Sequence, residues 1–203
     1  MSRWINSFII ISSLLVTTSA YAQETTAGPG RVEVTLIPAG ATFVTSNASG
    51  PSFGSYDIGG AFARNFSRMV GVEGELGGSL GVSQTFSMSD GSSLTEKSPN
   101  MLSYTGNLVI NAPGHSFVPY ATGGLGGLTV YSRPVLGITT NDTFLTGNVG
   151  GGAKWFAGNG RWGLRGDYRF IGVRANDNAP AFFGQETRYG HRIYGGVLLN
   201  VAR

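Results

Sequence analysis

Trp162-Gly163-Leu164-Arg165-Gly166-Asp167-Tyr168-Arg169-Phe170 alternates without a slip. Trp162, Leu164, Tyr168 and Phe170 share one parity, and Arg165, Asp167 and Arg169 share the other. Successive side chains of a strand point to opposite faces, so this segment reads as a β-strand with one apolar and one ionic face. Residues 161–175 are one of eight such segments, the others being 31–44, 55–65, 69–83, 101–111, 116–131, 143–156 and 188–202.

The parity extends outward from that segment. In the third strand Val70, Val72, Leu76 and Leu80 oppose Glu73 and Glu75, and in the fourth Leu102, Tyr104, Leu108 and Ile110 oppose Ser103, Thr105 and Asn107. In the sixth, Leu145, Val149, Ala153 and Trp155 oppose Thr146, Asn148 and Lys154. Val32, Val34 and Leu36 oppose Glu33 and Thr35 in the first. The last sets Ile193, Val197, Leu199 and Val201 against Arg192, Tyr194 and Asn200, with Leu198 as an exception. The glycine-rich fifth strand shows no clear parity.

The connections alternate in length. Residues 66–68, 112–115 and 157–160 are tight turns whose Gly, Pro and Asn supply the backbone angles needed. Residues 45–54, 84–100, 132–142 and 176–187 are longer and polar. Three short turns between four long loops match an eight-stranded antiparallel up-and-down transmembrane β-barrel, all-β, with both termini in the periplasm and the long loops outside. A soluble lipocalin-like barrel would show the same alternation with its faces reversed, holding a ligand on an apolar inside.

Composition favours the membrane. Charged residues make up 12% of the chain, against about 25% for typical soluble domains. Lys97 and Lys154 are the only lysines, although lysine commonly blunts exposed sheet edges in soluble β-proteins. The chain has no cysteine, hence no disulfide or thiolate metal site, and its small basic excess is no nucleic-acid footprint. No uninterrupted apolar run reaches helix-spanning length in the region 23–203. The 33 glycines lie within segments rich in Val, Leu, Tyr and Phe, unlike a disordered chain.

Residues 1–22 read as a signal peptide: Arg3 is a positive start, 8–16 are largely apolar, and Ala20-Tyr21-Ala22 is a small-x-small cleavage site. One barrel domain, 23–203, follows, exported to the cell outer membrane.

The polar face collects Glu33, Glu73, Glu75 and Asp167 with Lys154, Arg165, Arg169 and Arg192. An eight-stranded lumen is just wide enough for side chains to fill, and an unpaired buried charge costs several kcal/mol. The expectation is a salt-bridge network that plugs the lumen; the alternative is a small ion-conducting pore. Aromatics should form girdles at the membrane interfaces. Trp155, Phe156 and Trp162 bracket the third short turn, while Phe43, Tyr56, Tyr104, Tyr131, Phe144, Phe170 and Tyr189 fall near the ends that carry the long loops.

The chain resembles the small outer-membrane β-barrels of Gram-negative bacteria, the OmpA/OmpX-like family. The likeness is carried by the signal peptide, the eight segments, Pro119-Tyr120-Ala121-Thr122-Gly123-Gly124-Leu125-Gly126, and the closing Tyr194-Gly195-Gly196-Val197-Leu198-Leu199-Asn200-Val201. It implies membrane integrity, adhesion or host interaction through the loops, with no cofactor. It also implies outer-membrane lipid, lipopolysaccharide and the barrel-insertion machinery as partners of a monomer. Family members commonly end in an aromatic residue read by that machinery, whereas this chain ends Val201-Ala202-Arg203.

Other chemistry finds little support. A lipid-modifying hydrolase or acyltransferase needs a nucleophile, base and acid within hydrogen-bond reach. His115 falls in a turn and His191 on the apolar parity of the last strand, with no serine at matching spacing. No phosphate loop, zinc helix or calcium loop is present. A 92-residue offset superposes Val70-Gly71-Val72-Glu73-Gly74-Glu75 on Trp162-Gly163-Leu164-Arg165-Gly166-Asp167, a weak internal echo. The loops 84–100 and 176–187, the latter with Phe182 and Phe183, are the surface open to an extracellular ligand.

Overall fold

A computed structural model describes residues 28–45, 53–87, 92–131, 141–176 and 187–202. The expected signal peptide, the Phe182-Phe183 pair and most of the loops 45–54, 132–142 and 176–187 lie outside them. Ten strands follow in order: β1 Val32–Val44, β2 Phe53–Asn65, β3 Val70–Gly81, β4 Ser83–Ser87, β5 Ser93–Lys97, β6 Asn100–Asn111, β7 Phe117–Tyr131, β8 Asn141–Phe156, β9 Trp162–Val173 and β10 Arg188–Ala202. Eight of them close antiparallel into a barrel, β1-β10-β9-β8-β7-β6-β3-β2, in which β10 pairs with β1 to leave no free edge.

The tight turns are built by local bonds. Ser67 Oγ accepts from Met69 N at 3.2 Å and Val70 N at 3.1 Å, turning the chain between β2 and β3. Gly160 takes φ +63° between β8 and β9, a left-handed angle that a residue with a Cβ resists. Ala157 N donates to Trp162 O at 3.0 Å across that same turn.

The two faces separate as the parity requires. Outward stand Leu36, Ile58, Phe62, Val72, Leu76, Leu108, Ile110, Leu145, Val149, Leu164 and Ile193, all exposed. Inward stand Glu33, Glu73, Glu75, Lys154, Arg165, Asp167, Arg169 and Arg192, all buried. This orientation excludes the reversed lipocalin arrangement. The fifth segment also resolves: Val118, Tyr120, Thr122 and Val130 point in, whereas Leu125 points out.

Two expectations need correction. Phe144 and Phe156 are not interface residues: they are 2% and 1% exposed and fill the lumen. They share the parity of Thr146, Asn148 and Lys154, so the pleat turns them inward whatever their affinity for headgroups. Phe144 packs with Val44, Phe53, Met101, Val130 and Val173 at the loop end, and Phe156 with Val118 and Leu198 at the short-turn end. Leu198, the exception to the last strand's parity, thus belongs to an apolar cap. Second, the stretch 84–100 is not simply a polar loop. It contains the β4–β5 hairpin, tied to the barrel by Ser98 Oγ and Gln84 Nε2, which donate to Gly54 O at 2.8 and 3.2 Å. Beyond the residues whose parity was read from the sequence, β1 changes face. A register irregularity around Pro38 and Ala39 switches the inward set from Glu33, Thr35 and Ile37 to Thr42 and Val44, so that Phe43 faces out.

Candidate functional site

The site is the middle of the lumen. Glu73 on β3 and Arg165 on β9 stand on opposite walls of the closed ring and meet across its diameter. Arg165 Nη1 is bonded to Glu73 Oε2, and Nη2 to Oε1 at 3.2 Å, a two-pronged contact. Arg165 Nη2 also reaches Asp167 Oδ2 at 3.0 Å, while its Nε donates to Tyr120 Oη at 2.7 Å. Tyr120 in turn donates to Asp167 Oδ2.

Arg169, two residues along the same wall, ties this layer to the next. Its Nη2 lies 3.0 Å from Glu73 Oε1 and 3.1 Å from Glu75 Oε2, and its Nε lies 2.9 Å from Asp167 Oδ1. Arg192 pairs with Glu75 Oε1, and Tyr194 donates to Glu75 Oε2 at 3.2 Å. The Tyr194 ring sits among three guanidinium groups, with centroid distances of 5.7, 5.8 and 5.1 Å to Arg165, Arg169 and Arg192. Nearer the short-turn end Lys154 Nζ is paired with Glu33 Oε2 at 2.6 Å.

All eight charged residues anticipated for the lumen lie in it. Sequence reading overlooked Asp57, Arg188 and the bridging Tyr120. Asp57 is buried on β2 and accepts from Thr42 Oγ1 at 2.6 Å; Arg188 is buried on β10. Their signal was present: Asp57 has the parity opposite to Ile58 and Phe62, and Arg188 has that of Arg192. Among the described residues the buried charges are therefore five carboxylates and five cations. An uncharged total matters because the lumen, walled off from solvent, has nothing else to screen an excess.

Crowding explains part of the glycine content. A Cβ on Gly152 of β8 would collide with the Gly166 carbonyl and stand 2.8 Å from Tyr120 Oη. A cavity of about 40 Å³ lies between the ionic layer and the loop-end apolar cluster, lined in part by Thr42, Ser79, Ser103, Asn148, Arg169 and Arg192. That volume accommodates water and little else.

The anticipated girdle residues other than Phe144 and Phe156 face outward: Phe43, Tyr56, Tyr104, Tyr131, Trp155, Trp162, Phe170 and Tyr189 are all exposed. Trp155 and Trp162 pack edge to face, 6.0 Å between ring centroids, beside the short turn. His115 lies in the β6–β7 turn and His191 on β10 near the loop end, so the fold keeps the histidines at opposite ends of the barrel. The 92-residue echo holds only on one arm. Glu73 and Arg165, 92 positions apart, are ion-paired, but Ala61 pairs with Glu75 whereas Ala153 pairs with Gly166, one step out of phase.

Comparisons with known proteins agree with this architecture. The model of the family described as "outer membrane protein beta-barrel domain" matches residues 8–188. No curated protein matches the chain. Among solved structures, Neisserial surface protein A is similar at 12% identity and a TM-score of 0.58, over 83% of this chain and 96% of its own. The N-terminal β-barrel domain of Pseudomonas aeruginosa OprF is similar at 12% identity and a TM-score of 0.50, over 84% of this chain and 100% of its own.

Proposed function

The chain belongs to the outer membrane protein β-barrel domain family, and from that premise we propose that it is a monomeric structural or surface-recognition barrel whose lumen conducts no ions. The observation that carries this reading is the stacking of three sealed layers. Val118, Phe156 and Leu198 close the short-turn end, the salt-bridged layer fills the middle, and the cluster around Phe144 closes the loop end. An ion crossing this lumen would have to displace paired guanidinium groups and pass the apolar clusters at both ends.

On this reading the short-turn end and both termini face the periplasm after removal of residues 1–22, and the long loops face outward. Recognition then falls to the outer end, which carries the β4–β5 hairpin and to which the sequence assigns loop 176–187. Outer-membrane lipid, lipopolysaccharide and the barrel-insertion machinery are its general partners. Each of the eight charged groups first anticipated for the lumen is held by an opposite charge, which supports a non-enzymatic reading.

Single-channel recording in planar bilayers at high salt tests the sealed lumen. The expected result is a silent membrane, with sustained uniform openings overturning it. Protease shaving of intact cells tests the orientation: cleavage confined to the loops 84–100 and 176–187 is expected, and cleavage in the short turns would reverse it.

A further inference from the structure

One strip of the outer surface has a different chemistry from the rest of the belt. On β10, His191 faces outward between Phe43 of β1 and Phe170 of β9, its paired neighbours. Its Nδ1 lies 2.7 Å from Tyr168 Oη, its ring stacks on Tyr168 at 6.0 Å between centroids, and Phe170 meets it edge-on at 5.5 Å. Phe170 stacks on Tyr189 at 5.5 Å, and Arg174, exposed, follows on the outward parity of β9 just beyond Gly172. Outward from mid-membrane the strip thus reads Ile193 and Tyr168, then His191 with Phe43 and Phe170, then Tyr189, then Arg174.

Some outward hydroxyls elsewhere on the belt are satisfied within the protein. Tyr56 donates to Pro38 O at 2.5 Å, and Thr129 and Thr143 bond each other at 2.9 Å. His191 uses one ring nitrogen within the protein and keeps the other free to bond outward. With Tyr168 as donor its Nδ1 accepts and its proton sits on Nε2, and among the described residues Nε2 has no hydrogen-bond partner. A donor facing hydrocarbon with no acceptor is costly. A lipid headgroup oxygen supplies the acceptor.

We propose that Phe43, Tyr168, Phe170, Tyr189, His191 and Arg174 form a docking site for one phosphorylated lipid of the outer leaflet. The rings pack against the upper acyl chain, His191 Nε2 donates to a phosphoryl oxygen, and the Arg174 guanidinium neutralises it. This rests on the barrel spanning the membrane, and goes beyond general solvation by lipid in naming one site and one headgroup chemistry.

The test is native mass spectrometry of the full chain released from detergent after incubation with bisphosphorylated lipid A, with phosphatase-treated lipid A, or with millimolar inorganic phosphate. Wild type should retain one bisphosphorylated lipid. His191→Phe, which keeps the stack but removes the donor, and Arg174→Gln should each lower retention about tenfold, the scale of one charge-assisted hydrogen bond. Tyr104→Leu, on a distant strand, should leave retention unchanged. Boiling-sensitive gel mobility verifies that each variant is folded. Retention within twofold for both site variants, equal retention of the dephosphorylated lipid, or equal capture of free phosphate would each overturn the site. Folded protein that stays monomeric in plain buffer would instead overturn the membrane reading beneath it.

Discussion

At mid-height the lumen is filled by Arg165, Arg169, Glu73, Glu75 and Asp167, whereas its two ends are filled by Phe144 with Met101 and Val130 and by Phe156 with Val118 and Leu198. Both fillings occupy the lumen, but they depend on their partners differently. An apolar cap loses stability in proportion to the volume removed, and its neighbours relax toward the gap. The ionic layer behaves as a unit: Arg169 alone contacts Asp167, Glu73 and Glu75, so deleting one carboxylate strands charge on several partners at once. Adjacent layers of one tube therefore differ in how sharply they punish error.

The largest expected effect is at Glu73. Glu73→Ala leaves Arg165 and Arg169 without their shared carboxylate and should lower unfolding stability by about 4 kcal/mol, measured by urea titration of the folded barrel in vesicles with tryptophan fluorescence. A loss no larger than that of a cap variant would erase the contrast. Phe156→Ala comes next. Truncating a fully buried ring in the short-turn cap should cost about 3 kcal/mol, seen in the same titration, while the ionic layer keeps the lumen electrically silent. Currents in that variant would mean that the cap, and not the salt bridges, holds the seal.

The smallest effect sharpens the comparison most. Glu33 and Lys154 form a pair that shares no ion with the main network. Replacing both, Glu33→Met with Lys154→Met, should change stability by less than about 1 kcal/mol, whereas either replacement alone should cost about 3 kcal/mol. A double-mutant cycle from those titrations isolates the coupling. If the double variant fell as far as the singles together, the pair would contribute stability that an apolar filling cannot replace.

Much of this was legible in the chain because strand parity is a local property. Arg165, Asp167 and Arg169 needed only their own strand to be assigned to one face, and the same rule applied strictly would have turned Phe144 and Phe156 inward with Lys154. Interface preference for aromatics misassigned them: it is a weak tendency, while the alternation of the pleat is steric. The switch at Pro38 and Ala39 was not legible, since an irregularity depends on what the two neighbouring strands can pair with. The β4–β5 hairpin escaped notice because serine and threonine suit loops and paired polar strands alike. Nor could the echo between residues 70–75 and 162–167 announce that Glu73 and Arg165 would touch, since their contact spans the tube.

By itself the sequence determined the number of barrel strands, their antiparallel order, the faces of most of them and the balance of charge inside, because each follows from side-chain period and turn chemistry along a short stretch of chain. Which carboxylate met which guanidinium, which aromatics became plugs, and where His191 found Tyr168 were decided only by closure of the barrel. Closure sets the stagger between strands, and that stagger brings distant residues to one height in a narrow lumen, where most of the buried charges meet an opposite one.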